Sequence, residues 1–223
     1  MHLKERIIMS FLKSLFAKKQ PLTTRTLNTP NELQINDIFT FSDSFALPEV
    51  MRKQQLQVID INTIEFKHGH YAQIVGQGSG TQLIYLSFPA NPQKLVKFSL
   101  LLTRQDVEAL FDLDDFSEIF EAPGNVRLKP LAGNHNYADM LSAEYIQQDF
   151  MTTGYIHQQD YRGKTPPQYN EETHGREFEF YSLEGDQGKR FIDIFIYENG
   201  ETEIYLSFLR PANEIAELWI KGE

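Results

Sequence analysis

The chain contains no cysteine, which excludes disulfides, thiolate metal sites and a cysteine nucleophile. That absence agrees with a reducing cytoplasm, and a cytoplasmic location, peripheral to the inner membrane, is the expectation. No stretch approaches the roughly 18 consecutive apolar residues that a spanning helix needs. Positive charge is scarce: 21 Lys and Arg stand against 31 Asp and Glu, a net −10 that repels phosphates over most of the surface. Nucleic acid is therefore not an expected partner. Core-forming residues are plentiful. At 41% hydrophobic and 13% aromatic, 223 residues suffice for one large domain or two small ones, and the composition is not that of a disordered chain.

Two pentapeptides read the same, Ile84-Tyr85-Leu86-Ser87-Phe88 and Ile204-Tyr205-Leu206-Ser207-Phe208, 120 residues apart. Gly80 and Gly200 stand four residues before them. Pro89-Ala90-Asn91 follows the first and Pro211-Ala212-Asn213 follows the second after a two-residue insertion. The pattern suggests one structural unit used twice.

Residues 1–20 differ from the rest. Lys4, Arg6, Lys13, Lys18 and Lys19 oppose only Glu5, a net +4, so the remaining 203 residues carry −14. Ile7, Ile8, Phe11, Leu12, Leu15 and Phe16 draw one apolar stripe along a helix, and Pro21 stops it. Such a helix suits an anionic membrane surface, a protein partner, or a place on the chain's own sheet. Met9-Ser10-Phe11 also reads as a natural start, which would shorten the helix to about two turns.

Along the body, β-branched and aromatic runs separated by turn residues predict strands at 57–61, 63–66, 71–75, 83–88 and 96–102. A second set is expected at 177–181, 190–197 and 202–208. Thr103-Arg104-Gln105-Asp106 predicts a capped helix start, with the helical segment reaching Pro123. A further helix is expected within 137–155, a terminal one from Pro211 through Trp219, and a long polar loop over 157–176.

Few residues stand in an arrangement that carries chemistry. His68 and His70 flank one residue in a predicted hairpin turn, without Asp or Cys at ligand spacing, so no metal site is assigned. The acids Asp112, Asp114, Asp115, Glu118 and Glu121 lack the central glycine of a calcium loop and read as a solvated helix face. Gly76-Gln77-Gly78-Ser79-Gly80 is followed by a strand, not by the helix that a phosphate loop or a nucleophile elbow requires. No catalytic residues and no cofactor are assigned. Eight of the ten tyrosines lie after residue 130, and with the predicted loop around Tyr161 and Tyr169 they are candidates for a recognition surface.

The opening Phe11-Leu12-Lys13-Ser14-Leu15-Phe16 with Lys18-Lys19, the hairpins from Val58 to Phe88, the Ala122-Pro123-Gly124-Asn125-Val126 stretch leading to Pro130 and the closing Ile204–Phe208 strand together resemble the YjfK-like bacterial family of unknown function. The likeness is a diffuse one over most of the chain and carries no catalytic residues. It implies an uncharacterised cytoplasmic protein working beside envelope-stress proteins.

The expected fold class is α+β: two antiparallel β-meanders, a pseudo-duplication, with a few covering helices. Residues 1–20 form the basic helix, 21–130 the first meander and helix, and 131–223 the second meander and terminal helix. The expected function is that of a non-enzymatic adaptor acting through protein or membrane-surface contact, with Ile7, Ile8, Phe11, Leu12, Lys13, Leu15, Phe16, Lys18 and Lys19 as the contact residues. The alternative is a ligand-binding protein or enzyme whose cleft is lined by His68, His70, Tyr161 and Tyr169.

Overall fold

The structure is a computed structural model that describes residues 25–88, 94–133, 137–166 and 175–221. The predicted contact helix at 1–20 lies outside the described residues. Among them the chain forms eleven strands and two short α-helices. The strands are β1 (Ile38–Phe41), β2 (Gln55–Phe66), β3 (Gly69–Gln77), β4 (Leu83–Ser87), β5 (Leu95–Leu102), β6 (Arg127–Leu128), β7 (Tyr145–His157), β8 (Arg176–Gly185), β9 (Arg190–Tyr197), β10 (Thr202–Pro211) and β11 (Ile215–Trp219). The helices are α1 (Arg104–Leu110) and α2 (Leu113–Ser117).

All pairings are antiparallel, in the order β11-β1-β2-β3-β4-β5-β10-β9-β8-β7-β6. An additional pairing between β2 and β7, from Thr63 opposite His157 to Phe66 opposite Gly154, closes eight of these strands into a ring. The long β2 makes this geometry. Its start pairs with β1, its last four residues pair with β7, and a register shift between Val58 and Asp60 lets it bend from one task to the other. Gly154 sits on the closing seam because a Cβ there would stand 2.5 Å from Phe178 Cζ and 2.8 Å from the Glu65 carbonyl oxygen.

Alternation along each strand separates two faces. One carries Tyr71 on β3 and Asp193 on β9, strands on opposite sides of the ring whose side chains line one small cavity. That shared cavity identifies this face as the interior. Aromatic rings fill much of it: Tyr85 meets Tyr205 edge-on at 4.9 Å, and Phe178 meets Phe195 at 4.9 Å. The outer face is apolar, with aliphatic side chains and phenylalanines together. Phe98, Leu100, Ile192, Ile194, Leu206 and Phe208 are buried in one cluster with Val107 and Leu110 of α1 and Phe116 of α2. Phe41 of β1 packs edge-on against Phe98 at 5.3 Å, so the segment before β2 covers part of the same wall.

These pairings correct the expected fold class. The chain is mostly β, an eight-strand closed antiparallel barrel with extra strands and two short helices, not an α+β pair of meanders under covering helices. Thr103 does cap α1, accepting from the Asp106 amide, but the helical run breaks at Phe111-Asp112, where Asp112 caps α2. The helix expected within 137–155 is instead a single 3-10 turn (Ala138–Met140) followed by β7, the thirteen-residue strand that closes the ring. The expected terminal helix is a 3-10 turn (Ala212–Glu214) leading into β11, which pairs with β1. Both errors share one cause. Partners far along the chain stabilise these segments as strands, and local propensity does not encode such partners.

The two like pentapeptides lie on β4 and β10, on either side of β5. Leu86 and Phe208 both face Phe98, and Ile84 and Leu206 both face Leu100. Strands from 21–130 and from 131–223 therefore share one sheet.

Candidate functional site: two ends of one barrel

Each end of the ring opens into a cavity. At the first end, a cavity of about 380 Å³ lies among the last residues of β2, β4, β8 and β10 and the first residues of β3, β5, β7 and β9. Five rings stand in its wall: Phe66 meets Phe180 at 5.2 Å and stacks against Tyr71 at 6.4 Å, and Phe88 and Phe191 are the other two. Volume and lining fall in the range typical of small-molecule sites.

Within this apolar cup stands one cation, Lys97. Its Nζ lies 2.6 Å from Asp193 Oδ2 and 4.3 Å from the centre of the Phe191 ring. Asp193 also accepts from Ser207 Oγ at 2.9 Å, and Ser207 Oγ lies 2.8 Å from Ser99 Oγ. A hydroxyl has one proton to give, so Ser99 supplies the proton between the two serines. Every member of this chain is satisfied. Ser207 is fully buried, so its hydroxyl is not presented to any substrate as a nucleophile. Burial, then the negative charges of Asp193 and Asp149, push the Tyr71 hydroxyl far above its usual range and keep it protonated.

Two further carboxylates face the same cavity. Asp149 accepts a hydrogen bond from Ser182 Oγ, and Glu184 stands beside it on the wall. Neither has a cationic partner among the described residues.

The second end holds a cavity of about 560 Å³ whose polar groups are largely paired with one another. His157 Nε2 lies 2.8 Å from Glu65 Oε2, both residues buried, with Tyr161 edge-on to the imidazole at 5.5 Å. The Tyr161 amide donates to Thr63 Oγ1, and that hydroxyl donates to the Gln159 carbonyl. Arg162 donates to Asp160 and to the carbonyls of Asn31 and Leu33, pinning this rim to the segment before β1. Tyr197 and Tyr205 donate to one oxygen of Glu203 at 2.8 and 2.9 Å. Burial and the Glu203 charge raise both hydroxyls well above their ordinary values. Arg176 lies 3.6 Å over the Tyr197 ring and pairs with Glu201. Asn62 donates to Gln73, and its own Oδ1 lacks a partner.

The sequence-derived candidates divide between these ends. His68 and His70 are exposed at the β2–β3 turn and line neither cavity. Tyr161 does line the second cavity, whereas Tyr169 lies outside the described residues. No group of three or more His, Asp or Glu is placed to hold a metal among the described residues. Lys97, Asp149, Asp193, Phe66, Phe180 and Phe191 went unnoticed in the sequence. One signal was available: Lys97 and Asp193 each sit between two core-forming residues of a strand, Val96 and Phe98, and Ile192 and Ile194. Charges in such positions face either solvent or a barrel interior.

Comparison with known proteins finds no matching family model, no matching curated protein and no matching solved structure.

Proposed function

We propose that this protein binds a small molecule in the cavity at the Lys97 end of its barrel and acts by binding rather than by catalysis. The observation that carries the reading is the cup itself: about 380 Å³, with aromatic rings held on paired strands in its wall. A wall made of strands needs little rearrangement on binding, which keeps the ordering cost low. Ser207 is buried between Ser99 and Asp193, Ser182 donates to Asp149, and no histidine is among the described residues that line the cup to activate either hydroxyl.

The test is a fragment library read by saturation-transfer NMR on the full chain and on Ser87→Phe, which fills the cup from β4. Hits lost in the variant support the reading. A library without hits, or hits indifferent to Ser87→Phe, overturns it.

A second reading rests on the sequence of residues 1–20, whose net +4 charge and apolar stripe suit an anionic membrane surface or a protein partner. Salt-sensitive sedimentation with anionic liposomes, lost in Phe11→Glu/Phe16→Glu, supports membrane contact. Equal sedimentation of that variant removes the helix from the explanation.

A further inference from the structure

Resting on the reading of the Lys97-end cavity as a binding site, we infer that its ligand is an organic cation: a primary ammonium carried on a small apolar or aromatic body. The protein contains its own example of the interaction. Lys97 places an ammonium 2.6 Å from the Asp193 carboxylate and 4.3 Å from the Phe191 ring, with its side chain 23% exposed. A cation between a carboxylate and an aromatic face is stabilised by both the charge and the ring quadrupole.

The other half of the cup has the same ingredients and lacks the cation. Asp149 and Glu184 are half-buried, and Phe66, Phe180 and Tyr71 supply the rings. Ser182 satisfies one oxygen of Asp149 with a neutral hydrogen bond and leaves the charge uncompensated. The lining carries three carboxylates against one ammonium, a net −2.

That balance decides the ligand class. An anion entering the cup meets the uncompensated charges of Asp149 and Glu184. A neutral apolar ligand strips water from Asp149 and Glu184 and returns nothing for the lost hydration. A metal ion lacks a converging ligand set among the described residues. An ammonium meets both carboxylates while its body lies against the rings of Phe66 and Phe180, the arrangement Lys97 shows beside Asp193 and Phe191. The rings reject a fully hydrated ion, and the carboxylates reject an uncharged body, so the two features select a molecule bearing both groups.

The experiment titrates the full chain with phenethylammonium, 2-phenylethanol and 3-phenylpropionate, one ring with a cationic, a neutral or an anionic tail. Binding is read from amide and aromatic-ring shifts of Phe66, Tyr71 and Phe180 at low and physiological salt. The ammonium is expected to bind about tenfold tighter than the alcohol, and the carboxylate not at all. Asp149→Asn and Glu184→Gln are each expected to remove most of the ammonium's advantage over the alcohol. Asp149→Asn keeps an acceptor for Ser182, so the wall is preserved. Equal binding of alcohol and ammonium at these rings overturns the cationic class and leaves the cavity a binding site. Failure of all three to shift these residues overturns the binding reading beneath it.

Discussion

Along β5 the outward residues are Val96, Phe98, Leu100 and Leu102, while the inward ones include Lys97 and Ser99; β10 likewise sends Leu206 and Phe208 out and Tyr205 and Ser207 in. Neighbours in sequence thus belong to different environments. On the outer side the wall meets α1, α2 and the segment before β2, and the seam between them is built of buried aliphatic and phenylalanine side chains. On the inner side the wall meets itself across the ring. The space there is narrow, so it is filled by rings in edge-to-face contact, hydroxyls and one ion pair. Packing against other elements rewards apolar volume; packing around an axis rewards shape and mutual hydrogen bonding. The outer side therefore holds the fold together, and the inner side is free to carry chemistry.

The largest loss is expected on the outer side. Phe98→Ala removes a fully buried ring in contact with Phe41 and Phe208 and should cost about 3–5 kcal/mol, read as a lower urea midpoint. A smaller cost than any inner substitution below would reverse the assignment of the two sides.

Next comes Asp193→Ala, which leaves the Lys97 ammonium and the Ser207 hydroxyl without their acceptor. About 3 kcal/mol is expected, at the low end for a buried pair because Lys97 reaches partly into solvent. The double variant Lys97→Met/Asp193→Leu should recover most of that loss. No recovery would mean that the pair determines packing beyond its own charges.

Gly154→Ala probes the seam where both sides meet. The added Cβ collides with Phe178 and the Glu65 carbonyl, for about 1–3 kcal/mol and faster amide exchange at Thr63–Phe66. Unchanged exchange would show that the β2–β7 closure tolerates widening.

The smallest effect is expected outside the ring, at Glu214. It accepts from Ser42 at 2.6 Å, Arg210 at 3.0 Å and Ser44 at 3.2 Å, tying the turn before β11 to the end of β1. Burial raises its pKa, but the bonds from Ser42, Arg210 and Ser44 and the Arg210 charge outweigh burial and hold it below its ordinary 4.5. A depressed carboxyl contributes stability that is present above its unfolded value and is lost as pH falls through the folded one. Glu214→Gln should therefore cost about 1 kcal/mol at pH 7 and progressively less below pH 4.5. A loss that does not shrink in acid would separate the bonds from the charge.

Much of the strand content was legible. The segments that became β3, β4, β5, β8, β9 and β10 show themselves through β-branched and aromatic runs between turn residues, and Thr103 with Asp106 announces α1. β1, β6 and β11 did not show, being short and dependent on distant partners such as Phe39 opposite Leu218. β7 was misread for the same reason; its thirteen residues pair with β8 and β2 across two register shifts. Of the second cavity, Tyr161 and Tyr197 of the tyrosine-rich second half were anticipated, and the exposed histidines of the β2–β3 turn line neither cavity.

Composition, hairpin positions, the capped helix and the absence of cysteine chemistry follow from residues read in order, because each depends on neighbours a few positions apart. Ring closure, the pairing of Lys97 with Asp193 and the gathering of Asp149 and Glu184 into one aromatic cup depend on contacts up to about a hundred residues apart. A strand's period of two says that its faces differ; which of them turns toward the axis is decided by closure, and closure is a property of the whole sheet.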